Sequence, residues 1–93
     1  MKRILLRTTS FARALKKLLK TQPGIRDSVL VTLAALAEDA FQLNLKTHKL
    51  KGELSGYWAC SAEFDLRILF ELIQEQGQDA ILLHDIGSHD EVY

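Results

Sequence analysis

Cysteine is almost missing from this chain. Cys60 stands alone, so no internal disulfide forms, and a reducing, cytoplasmic setting is expected with Cys60 as a small buried residue. Long apolar runs are missing too. The longest uncharged stretch, residues 28–37, has ten residues, against the roughly 20 that cross a bilayer. No membrane partner is expected. The basic start, MKRILLR, is interrupted by Arg7, and Arg13 follows, which does not fit a secretory signal. Proline occurs once and no segment is of low complexity, so disorder and collagen-like structure are excluded. A Gly-rich phosphate loop, an HExxH pair and a CxxC pair are all absent, and with them the chemistry those motifs carry.

Net charge is also absent, since 12 Lys and Arg offset 12 Asp and Glu. The balance hides an asymmetry. Residues 1–51 hold eleven basic and three acidic side chains, so +8, and residues 52–93 hold one and nine, so −8. Such a chain folds either with these charges intermixed or with one basic face suited to a polyanion.

What is present suits one domain, residues 1–93. With 47% hydrophobic residues, the chain is long enough for a single core. Residues 2–8 read as a first strand. Thr9 or Ser10 then offers an N-cap. Phe11, Ala14, Leu15, Leu18 and Leu19 follow at helical spacing, with Arg13, Lys16, Lys17 and Lys20 on the outer face. Pro23-Gly24 breaks this helix. A second helix is expected from Asp27 or Ser28 to about Phe41, with Leu30, Leu33, Ala34, Ala37 and Phe41 as its apolar stripe. The period then changes. Residues 56–64, 66–73 and 80–86 read as strands, the last two joined by a hairpin loop in QEQGQD. The fold class is α+β, in the order β-α-α-β-β-β, with two helices packed on a mostly antiparallel sheet.

Three histidines could carry chemistry. His48 lies among Lys46, Lys49 and Lys51. It is either a loop histidine on a basic surface or a proton-transfer group beside phosphate-binding lysines. Neighbouring ammonium groups disfavour a further positive charge on its ring, which suits a base. His84 reads as a sheet-surface residue. His89 follows Gly87, which permits a turn back over the sheet edge. Asp65 interrupts an apolar run and needs a partner or water. It either pairs with Arg67, two residues on, or orients a histidine while Arg67 binds an anion. Metal binding by His48, Asp65, His89 and Asp90 is not expected, because the histidines lack a short ligand spacing.

These residues have a familiar order. HKLKGELSGYWACSAEFDLRILFEL and ILLHDIGSHDEVY resemble the RelE superfamily of bacterial toxins, and its YafQ-like branch most closely. The likeness covers residues 48–93, and the helical half matches only in architecture. The resemblance implies the toxin half of a type II toxin–antitoxin pair, acting as a ribosome-dependent endoribonuclease that cuts mRNA in the ribosomal A site. It implies a cognate antitoxin, the ribosome and mRNA as partners, and operator DNA only through the antitoxin complex. By position, His48, Asp65 and His89 match the family's acid–base group. Arg67 falls where many relatives carry an arginine, and Tyr93 matches a C-terminal aromatic that stacks on a base or positions the nucleotide. Ala59 and Ser61 depart from the acidic and imidazole residues of other YafQ-like chains. The residue types suit metal-free RNA cleavage with no cofactor: His48 as base and His89 as acid, or the reverse, Asp65 to fix an imidazole, and Arg67 with Lys49 or Lys51 against the phosphorane. Two alternatives share the scaffold, a ParE-like gyrase poison and an inactive co-repressor module.

Overall fold

The computed structural model describes residues 2–63 and 65–93. Among these, the order is β1 (Ile4–Arg7), α1 (Thr9–Thr21), α2 (Arg26–Glu38), β2 (His48–Lys49), β3 (Trp58–Ala62), β4 (Leu66–Glu75), β5 (Gln78–Gly87) and α3 (His89–Val92). Single 3-10 turns at Pro23–Ile25, Leu43–Leu45 and Gly52–Leu54 join them. The strands make one sheet in the order β1-β5-β4-β3-β2. Only β1 and β5 pair in parallel; the other neighbours are antiparallel. The expected β-α-α-β-β-β architecture is therefore present, with an added edge strand, β2, and an added final turn, α3. Phe64, the expected end of the third strand, lies outside the described residues.

Helix α1 packs as its spacing predicts. Phe11 and Leu18 are buried, and Ala14, Leu15 and Leu19 pack against the same core. Its cap, however, is Thr8 rather than Thr9 or Ser10. The Thr8 hydroxyl accepts from the Phe11 N–H at 3.0 Å and donates to the Leu83 carbonyl at 3.0 Å. The sheet thus fixes where the helix starts. Helix α2 corrects its expected stripe. Val29, Thr32 and Leu36 face inward, whereas Leu30 is 55% exposed and Phe41 lies beyond the helix. Residues 28–37 are apolar on nearly every side, so period alone selects no face and packing does. Thr32 enters the core because its hydroxyl donates to the Ser28 carbonyl at 2.7 Å.

Strand β4 organises the rest. Leu66, Ile68, Phe70 and Leu72 join the core under the helices, and each full burial of such a side chain is worth about 2 kcal/mol. Arg67, Leu69 and Glu71 alternate onto the opposite face. Gln76 and Gly77, at φ 52° and 80°, close the β4–β5 hairpin between paired Glu75 and Gln78. Two successive positive φ values make a type I′ turn, whose twist matches the flanking strands. The register slips once: Leu69 pairs with Asp85 but Phe70 pairs with Leu83, leaving His84 as an extra residue in a bulge. Cys60 is fully buried and its thiol is pushed up to about 12 by burial, so it stays protonated and packs as a small apolar residue.

Candidate active site

The tail is a built turn. Ser88 caps α3 in a capping box, and Glu91 Oε1 accepts from the Ser88 N–H at 2.8 Å. Those Ser88 hydrogen bonds hold the Glu91 carboxyl below its ordinary range. Gly87 suits the close return of the chain. A Cβ there would meet Glu91 Oε1 at 3.0 Å and Glu91 Cβ at 3.1 Å. Val92 is 8% exposed and anchors the turn. The turn places the His89 ring edge-on to Tyr93, with 4.7 Å between centroids. His89 Nδ1 lies 3.5 Å from Asp90 Oδ1, and both side chains are exposed. Burial pushes the Tyr93 phenol up, against an opposing pull from Arg67.

Asp65 joins this turn to the sheet. It sits in the β3–β4 turn at φ 59°, between the two expected strands, and the Leu66 N–H donates to the Glu63 carbonyl across it at 3.2 Å. One carboxylate oxygen lies 3.4 Å from Arg67 Nη1. The other accepts from the backbone N–H of His89 at 3.4 Å. Both expected partners are thus present, with one correction: Asp65 engages His89 through its backbone. Its hydrogen bond therefore places the His89 turn without fixing the imidazole tautomer.

His48 stands on the edge strand, exposed. Its Nδ1 lies 2.9 Å from the Lys46 carbonyl. A carbonyl only accepts, so Nδ1 carries the proton and Nε2 is left as the basic nitrogen. The register sets His48 in a row with Ala59 and Leu69, and Arg67 in the next same-face row with Ser61 and Gly87. Two strand spacings and one row put the His48 and Arg67 backbones about 12 Å apart.

The lysines divide. Lys46, at φ 51°, lines one cleft of about 490 Å³ with Asn44, Ser61, Ala62, Glu63, Asp65 and Arg67. Lys49 instead pairs with Trp58 and holds its ammonium 5.6 Å from that ring, on the sheet face away from His48. Lys51 is exposed just after β2. Asp65, Arg67, His89 and Tyr93 thus gather at one end of the sheet with Lys46 nearby. His48 shares their face, and Lys49 does not. Asn44 and Ser61 also line the cleft; the family resemblance marks the Ser61 position, whereas Asn44 carries no pattern that marks it.

Comparison with known proteins gives this arrangement a family. Residues 3–93 match the model described as the bacterial toxin of type II toxin–antitoxin system, YafQ. The chain belongs to that family. Among solved structures, YafQ from E. coli strain BL21(DE3) superposes with a TM-score of 0.71 at 17% identity, covering 99% of each chain. The E. coli DinJ–YafQ toxin–antitoxin complex gives 0.74 at 17% identity, covering 100% of this chain and 99% of that one. A conserved hypothetical protein of Helicobacter pylori gives 0.74 at 23% identity, with 100% of both chains covered. No curated protein sequence matches. The fold is thus that of RelE/YafQ-like toxins, and this YafQ-family chain is a type II toxin–antitoxin toxin. Among the described residues, no helix is long and apolar enough to cross a membrane.

Proposed function

We propose that this YafQ-family toxin is a cytoplasmic, ribosome-dependent endoribonuclease that cuts mRNA by metal-independent acid–base catalysis. The observation that carries the reading is the return of α3 onto Asp65, which sets His89 and Tyr93 beside Arg67 at the Lys46-lined cleft. In the reaction, Nε2 of His48 takes the proton from the ribose 2′-OH. The 2′-oxygen attacks the adjacent phosphorus, and the bond to the 5′-oxygen breaks as His89 protonates that oxygen. A 2′,3′-cyclic phosphate and a free 5′-hydroxyl result. Each proton transfer contributes roughly 10²–10⁴-fold. Arg67, with Lys46 and Lys51, stabilises charge on the phosphorane, and Tyr93 stacks on a neighbouring base. Asp65 is a positioning residue that holds the turn bearing His89.

As YafQ is paired with DinJ in the E. coli complex, this toxin is held inactive by a cognate antitoxin, and reaches operator DNA only through that complex. The test is induction of wild type and His89→Ala in a bacterial host, with primer extension on a translated message. Ribosome-phased cuts are expected from the wild type, reduced at least roughly 100-fold in the variant. Growth arrest with intact message and poisoned gyrase would show a ParE-like activity and sink the reading.

A further inference from the structure

A second polar cluster lies on the face of the sheet turned away from the helices. It consists of Tyr57, Glu71 and His84. His84 Nε2 is 2.6 Å from Glu71 Oε1, and the imidazole meets the Tyr57 ring edge-on at 4.9 Å between centroids. The His84 side chain is 21% exposed. The bulge re-aims this histidine, which has no cross-strand pair of its own. A carboxylate only accepts, so Nε2 carries a proton, and in that tautomer Nδ1 is an acceptor. No bond to Nδ1 forms among the described residues. Here, then, is an imidazole whose tautomer is fixed by a carboxylate, with its second nitrogen available, about 13 Å along β4 from Arg67.

Nothing in the cleavage chemistry uses these three side chains. Their distance from Arg67 removes them from the scissile bond, yet they share its sheet face. The Glu71 carboxylate repels phosphate, so the cluster suits a base more than a backbone. An aromatic ring and a flat imidazole on a half-buried sheet face are the elements on which single-stranded nucleic acid stacks.

We propose that Tyr57, His84 and Glu71 form a base-binding subsite for the single-stranded RNA flanking the cleaved bond, with His84 Nδ1 accepting a hydrogen bond from a base N–H. This rests on the RNA-cleaving reading above.

The test starts from the His89→Ala protein, titrated with a short fluorescent single-stranded oligoribonucleotide and followed by anisotropy. Adding His84→Ala or Tyr57→Leu should weaken binding about tenfold. Glu71→Gln, which keeps an acceptor, should weaken it less. Imidazole NMR signals of His84 in the otherwise unaltered His89→Ala protein should move on titration, a readout that needs no substitution in the cluster. In the cleaving protein, His84→Ala should raise KM for message and leave kcat within about twofold. Unchanged affinity in folded variants together with unmoved His84 signals overturns the subsite. The two readings fail separately. A wild type that binds the oligomer through His84 but does not cut message defeats only the cleavage reading. A His84→Ala protein that cuts with wild-type KM defeats only the subsite.

Discussion

Asp85 shows how a single residue is held against its preference. It lines a small cavity with Ala14, Lys17, Leu18, Ile86 and Glu91. Burial pushes its carboxyl above the ordinary 3.8, the Ile86 N–H pulls it back, and the like charge of Glu91 pushes it up again. The sign follows from linkage: the unfolded chain ionises more readily, so stability is lost as pH rises from 3.8 through the higher folded value. Asp85→Asn keeps an oxygen for the Ile86 N–H, bonded at 2.8 Å, and removes the charge. Thermal unfolding at about pH 7 should shift to a higher Tm, and the gain should vanish below the ordinary carboxylate value. A lower Tm at neutral pH would contradict this account. Residue types alone mark where chemistry is possible but not who meets whom. Asp65 is expected from sequence to orient an imidazole; it reaches the His89 backbone instead, while Glu71, thirteen positions before His84, makes the carboxylate–imidazole bond. Only the strand register brings that pair together.

At the scale of elements, the β4–β5 hairpin rests on backbone conformation. Gly77 sits at φ 80°, and a Cβ added there would meet nothing within 4 Å; Gly24 is equally open without a positive φ. Gly77→Ala should therefore cost about 1 kcal/mol from left-handed strain alone. Gly24→Ala should be neutral or stabilise by up to about 1 kcal/mol, through the unfolded chain. Urea midpoints of the two variants decide this, and equal shifts would refute it. Long, strongly periodic elements are legible in the sequence: α1, β4 and β5 lie where their patterns place them. The inward face of α2 is not, because its apolar residues surround the helix. Two-residue β2 and one-turn α3 are not, because each exists through its neighbours: β2 by pairing with β3, and α3 by capping and by Asp65.

For the whole molecule, the charge asymmetry of the two halves survives folding. Arg13, Lys16, Lys17 and Lys20 lie along α1, which carries no acidic residue, while Glu71, Glu75 and Asp79 lie on the hairpin. The isoelectric point is about 6.8, and Leu30, Val31 and Leu43 are 55%, 69% and 94% exposed. Near neutral net charge, such a surface promotes association. Light scattering of the isolated chain should show most self-association close to pH 6.8, declining as net charge of either sign accumulates. A profile flat in pH would assign any association to the apolar side chains alone.

The parallel pairing of β1 with β5 has a consequence for how the toxin comes into being. Thr8 and Leu83, 75 positions apart, are bonded across the sheet, and β5 lies between β1 and β4. Of the five strands, β5 is synthesised last and occupies an interior place. A nascent chain that lacks it has β1 with no neighbour and an unfilled gap in the sheet, and such distant pairings form slowly. The complete sheet, and the toxin with it, therefore forms only after β5 and the turn that follows it have been translated.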